Sequence, residues 1–142
     1  MKLTINQKVV IYFLLVITEY VIDITTVTKK CNTLKSQSFL FIHHMISVYG
    51  YFGCFLFNPV YHLLSLIGVL IHWKTNNNRC EFTVITNKQC GYDESRVFND
   101  FFNMTLSHIG INRYEAVATL MIYDIVMIYL DRKKLSWNPL TR

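Results

Sequence analysis

Charged residues are scarce in this chain. They make up 16 % of its 142 residues, where about 25 % is usual for a soluble domain, and that deficit argues against an ordinary water-covered surface. Proline occurs twice. No Pro-rich linker, internal repeat or low-complexity tract divides the chain, so one domain is expected. Catalytic signatures are missing: there is no G-x-S-x-G, P-loop, G-x-G-x-x-G or H-E-x-x-H. The chain is therefore read as a non-enzyme. Ser47 or Ser65 beside a histidine is what any apolar helix with those residues would offer. Zinc spacing is missing too, with no C-x-x-C and His72 alone near the cysteines. No small-x-small cleavage site follows the first apolar run, and Glu19 and Asp23 lie inside it. That run is expected to persist as a helix rather than be removed as a signal peptide.

What the chain does have is apolar length. Hydrophobic residues make up 52 % and aromatic residues 15 %. Four apolar stretches stand out: 9–27, 39–57, 60–73 and 114–130. A helix crossing a bilayer core needs about 20 such residues. The expected fold is all-α: a single integral membrane domain with four transmembrane helices in an up-down bundle. Asn58-Pro59 separates the second helix from the third, because proline lacks a donor and pushes its predecessor out of the helical region. The third helix is short, and its full crossing is open. Asn76-Asn77-Asn78 reads as a polar turn. The polar loop 74–113 should hold a short helix at 82–89, stopped by Gly91. Its segment 95–106, with Val97, Phe98, Phe101, Phe102 and Leu106 at helical spacing, reads as an amphipathic helix able to lie on the membrane surface.

The net charge is +5. Its lysines and arginines flank the apolar runs instead of lining one soluble face, as membrane anchoring predicts, and no nucleic-acid partner is expected. The bilayer itself is the first partner. Asp131, Arg132, Lys133, Lys134 and Trp137 form an interfacial anchor after the fourth helix. With four crossings both termini share one side, which the weighting of short over long loops makes cytoplasmic. Cys31, Cys80 and Cys90 then fall on the opposite side. A Cys80–Cys90 disulfide and free thiols are both open there. Asn103-Met104-Thr105 is a sequon, so Asn103 is a candidate glycosylation site on that side.

Ionisable residues at membrane depth are costly and need partners. Glu19 and Asp23 are four apart and share one helical face. Folding the chain antiparallel at about 1.5 Å per residue brings Glu19, Asp23, His44 and His72 toward one leaflet. Asp124 falls near mid-depth and His62 near the opposite face. Three readings stay open: a structural polar network of Glu19, Asp23, His44, His72 and Asp124; a metal or haem site using His43 or His44 with His72; and proton or ion handling through Glu19, Asp23 and Asp124. No resident cofactor is implied.

His62-Leu63-Leu64-Ser65-Leu66-Ile67-Gly68, His72-Trp73, Cys80-Glu81-Phe82-Thr83, Asn87, Gly91-Tyr92 and Phe98-Asn99-Asp100-Phe101-Phe102 resemble a family of small multi-helix membrane proteins of unknown function. The resemblance spans about 60–102. Glu81 stands where that pattern has proline, and Thr86 where it has glutamate. It implies a membrane bundle with a loop tucked at the surface, and no reaction. The Lys/Asn/Ile/Tyr-rich composition is also similar to that of membrane proteins of large DNA viruses. The expected function is therefore structural: a multi-pass protein packing against other membrane or capsid-type proteins, or against itself. The internal membrane of a virion or an organellar complex would be its setting. The alternative is a haem- or metal-binding redox module, or a small proton or ion carrier.

Overall fold

A computed structural model describes residues 3–26, 33–93 and 101–132. Six helices follow in chain order: α1 (Ile5–Thr26), α2 (Leu34–Leu56), α3 (Pro59–Thr75), α4 (Glu81–Gln89), α5 (Phe101–His108) and α6 (Arg113–Arg132). The described residues are otherwise turns and connections, so the all-α expectation holds.

Local chemistry sets most boundaries. At the start of α1, the Gln7 backbone N–H donates to Thr4 Oγ1, and Gln7 Oε1 accepts from the Thr4 backbone N–H at 2.9 Å. This reciprocal pair satisfies donors that an uncapped helix leaves open. Thr33 caps α2 by accepting from the Ser36 backbone N–H. Asn58 caps α3 through Val60 N–H, with Pro59 in the first turn, where its missing donor costs nothing. Asn112 caps α6 by accepting from Tyr114 and Glu115 N–H, and Glu115 Oε2 returns the bond to Asn112 N–H. The expected stop at Gly91 is real. It ends α4 with φ at +69°, and Tyr92 N–H reaches back to Asn87 O at 2.9 Å. The expected asparagine turn is also present, with Asn77 and Asn78 both at positive φ.

The central element is α2, which packs against α1, α3, α4 and α6. Side-chain pairs fix the directions. Tyr20 meets Phe41 while Tyr12 meets Phe57, so α1 and α2 are antiparallel. The α2–α3 turn makes a hairpin. Trp73 meets Tyr114 and His62 meets Asp124, so α3 and α6 are antiparallel. The four long helices therefore run up, down, up, down.

Helix α5 overlaps the expected amphipathic segment. Of the segment 95–106, residues 95–100 lie outside the described ones, and the helix itself is Phe101–His108. It packs against both α1 and α6, which do not pack on each other. Its Phe102 ring sits 5.1 Å from Tyr51 and 5.2 Å from Phe52 of α2. These ring contacts tie α5 to α2, while its Thr105, Ser107 and His108 are exposed.

Burial is inverted relative to a water-soluble bundle. Among the described residues, eight hydrophobic side chains are buried against ten polar or charged ones. Large apolar residues line the outside instead: Val10, Leu14, Ile17 and Val21 on α1, Leu64 and Ile71 on α3, and Ile122, Ile125 and Tyr129 on α6. Two helices, α1 and α2, are long and apolar enough to cross a membrane. At about 1.5 Å per residue their 22 and 23 residues match a hydrocarbon core of about 30 Å.

Candidate functional site: two buried histidine–carboxylate clusters and a lateral groove

The first cluster joins α1 to α2. Glu19 and Asp23, one turn apart, both face His44. Glu19 Oε2 lies 3.3 Å from His44 Nδ1, and Asp23 Oδ2 lies 3.0 Å from Nε2. All three side chains are at most 2 % exposed. An imidazole held from both ring nitrogens has one orientation, so this clamp fixes the rotation of α1 about its axis as well as its height. The Tyr20 ring packs edge-on to His44 with centroids 6.2 Å apart.

The second cluster joins α2, α3 and α6. His62 Nδ1 lies 2.6 Å from Asp124 Oδ2, and both side chains are fully buried. Its Nε2 lies 3.1 Å from the carbonyls of both Tyr49 and Gly50. Carbonyl oxygens only accept, so Nε2 carries the hydrogen and donates to them. A single proton then sits between Nδ1 and the carboxylate. Gly53 makes room for the ring: a Cβ there would lie 2.5 Å from His62 Cδ2. One imidazole thereby ties three helices together.

These contacts revise the expected five-residue network. Glu19, Asp23 and His44 do come together. Asp124 belongs to His62 instead, because the antiparallel register of α3 and α6 sets them at one level. His72 is exposed and accepts the Glu81 backbone N–H at its Nε2, 3.1 Å away. His43 faces Cys80, with Nδ1 3.8 Å from Sγ. The three candidate metal ligands His43, His44 and His72 thus turn to three separate partners. Among the described residues no group of three or more His, Cys, Asp or Glu is arranged to hold a metal ion.

The cysteines also require a correction. Cys80 is a free thiol, as is Cys54, whereas Cys90 is disulfide-bonded. The Cys80–Cys90 pairing does not exist, since α4 separates the two by its whole length of nine residues, about 14 Å. The partner of Cys90 lies outside the described residues. Burial pushes the Cys80 thiol up, but the hydrogen bond to His43, the charge of His43 and the backbone N–H groups of Thr83 and Phe82 together outweigh it and leave the thiol below its ordinary value. Asn103 of the sequon falls within α5, and its side chain is outside the described residues.

Beside the second cluster, a groove of about 380 Å³ lies between α2, α3, α4 and the start of α6. Gly50, Ser65 and Gly68 form its apolar end; Arg79, Cys80 and Arg113 stand at its polar end. Arg113 stacks on Trp73, 4.8 Å from the ring centroid, and donates from Nη2 to Asn78 O. No family model matches the chain, and no curated protein or solved structure matches it.

Proposed function

We propose that this chain is a four-span membrane protein whose role is structural: it packs, within lipid, against partner proteins or further copies of itself. The observation carrying this reading is the inverted burial. Carboxylates and imidazoles are enclosed, while branched and aromatic residues cover the outside of α1, α3 and α6. In water such a surface would associate; in hydrocarbon it is the stable arrangement. Helices α3 and α6 have 17 and 20 residues, about 26 and 30 Å of helix, which suits the lower end of spanning lengths. The two histidine clamps support a fixed scaffold, because pairing buried carboxylates with imidazoles at these distances favours one register. The internal membrane of a virion or an organellar complex is the setting this role suits.

The test is extraction in mild detergent followed by sizing with light scattering. Recovery in a stable assembly larger than one chain is expected. A stable monomer with no associated chain contradicts the structural role. Proton handling is the second reading, favoured by the carboxylates on both sides of His44. It requires that Asp124→Asn or His44→Leu abolish proton flux in liposomes, and unchanged flux removes it.

A further inference from the structure

We infer that Cys80, with His43 as its base, is a thiol–disulfide exchange site that accepts a low-molecular-weight disulfide from the groove between α2, α3, α4 and the start of α6. Two features favour a thiolate there. His43 Nδ1 lies 3.8 Å from Sγ, placed to take the thiol proton. Cys80 also stands immediately before the nine-residue α4, and the backbone N–H groups of Phe82 and Thr83 in its first turn favour a negative sulfur. A helix N-terminus beside an imidazole is a setting in which a thiol ionises and attacks. The base comes from α2 and the nucleophile from the α3–α4 connection, so only the folded chain assembles the pair.

Room and redox setting select the reaction. Both residues line the groove, whose volume of about 380 Å³ is within the range of small-molecule sites. Cys80 is half-buried and His43 is 8 % exposed. A sulfur recessed in this way suits a small molecule entering the groove better than the face of a folded protein. Cys54, 7 % exposed inside α2, lies outside the groove. At the other end of α4, Cys90 is disulfide-bonded, so this side of the molecule is one where disulfides form. Cys80 is nevertheless a free thiol. A thiolate among disulfides is the attacking group of exchange. The step balances without an outside oxidant. The Cys80 S–H proton passes to His43 Nδ1, and the thiolate attacks one sulfur of the substrate. The new Sγ–S bond forms as the substrate S–S bond breaks. The departing thiolate then takes the proton from His43. One disulfide is consumed and one, on Cys80, is made.

The experiment treats the purified full chain in mild detergent with glutathione disulfide and reads it by non-reducing intact mass spectrometry with peptide mapping. One glutathione should add at Cys80 and none at Cys54. The folded chain should react at least about threefold faster at Cys80 than the same chain unfolded in guanidinium, because a tenfold gain in thiolate is partly cancelled by lower nucleophilicity. Cys80→Ser should abolish the addition. His43→Ala should slow it about threefold by the same reckoning, and His43→Gln, closer in size, serves where the alanine variant folds poorly. Exchange at Cys80 no faster than in the unfolded chain overturns the site, as does addition at Cys54 alone. An undiminished rate in both His43 variants overturns the role of the base. A disulfide-linked dimer in place of the glutathione adduct contradicts the small-molecule substrate.

Discussion

Replacing Gly53 by alanine loads the joint between α2 and α3 directly. The added Cβ would stand 2.5 Å from Cδ2 and 3.1 Å from Nε2 of His62. Relief to ordinary contact at about 3.5 Å requires a shift of about 1 Å. The ring is not a flexible end, because Asp124 holds Nδ1 and two carbonyls hold Nε2. A shift of that size breaks the 3.1 Å bonds or spreads the helices. Overpacking costs about 1–3 kcal/mol, each weakened bond about 1 kcal/mol, and the better helix propensity of alanine returns about 1 kcal/mol. The net expectation is a loss of about 2–3 kcal/mol, seen as a fall in Tm of about 5–10 °C in detergent. Gly68→Ala is the internal control: its Cβ meets open space, so Tm should hold or rise slightly. The reasoning fails if Gly53→Ala is as stable as wild type, or if both variants fall alike.

His62→Leu alone strands a buried carboxylate and should cost about 3–5 kcal/mol in denaturant unfolding; His62→Leu with Asp124→Leu should cost less than either single change, and additive losses would contradict the pairing. His44→Leu should speed amide exchange in α1 more than in α6, since its partners Glu19 and Asp23 are both on α1. Because the Cys80 thiol lies below its ordinary value, more of it is thiolate at a given pH. Its alkylation rate should therefore reach half its plateau below pH 9.0. His43→Ala removes the lowering contact and leaves burial, so that midpoint should move upward; no movement refutes the Cys80–His43 contact.

Much of the fold is legible in the residues themselves. Long apolar runs and their punctuation at Asn58-Pro59, Asn76-Asn77-Asn78 and Gly91 mark the four long helices and α4, because these signals act within a few residues. Glu19, Asp23 and His44 are equally legible: a four-residue spacing defines one face, and a short hairpin brings the next helix to the same depth. The His62–Asp124 pair is not, because the long connection between α3 and α6 leaves their register undefined. The one available signal is Trp73 and Tyr114, both suited to the interface. Setting them level and counting eleven and ten residues away reaches His62 and Asp124. His72 has the same composition signal as His44 but a different fate, since only the folded loop brings the Glu81 N–H to it. The seat of α5 depends on ring contacts with distant aromatics, and the state of Cys90 on chain geometry that spacing does not encode.

The central claim is that lipid covers the outside of this inverted bundle, and α6 tests it best. Spin labels placed singly at Ile122, Ile125, Val126 and Tyr129 report collision with oxygen, which prefers hydrocarbon, and with a water-soluble nickel chelate. All four positions are exposed, so labels there should not perturb the core. Oxygen should dominate at all four. Dominant nickel collision along that face would mean that water surrounds the helix, and would contradict the account.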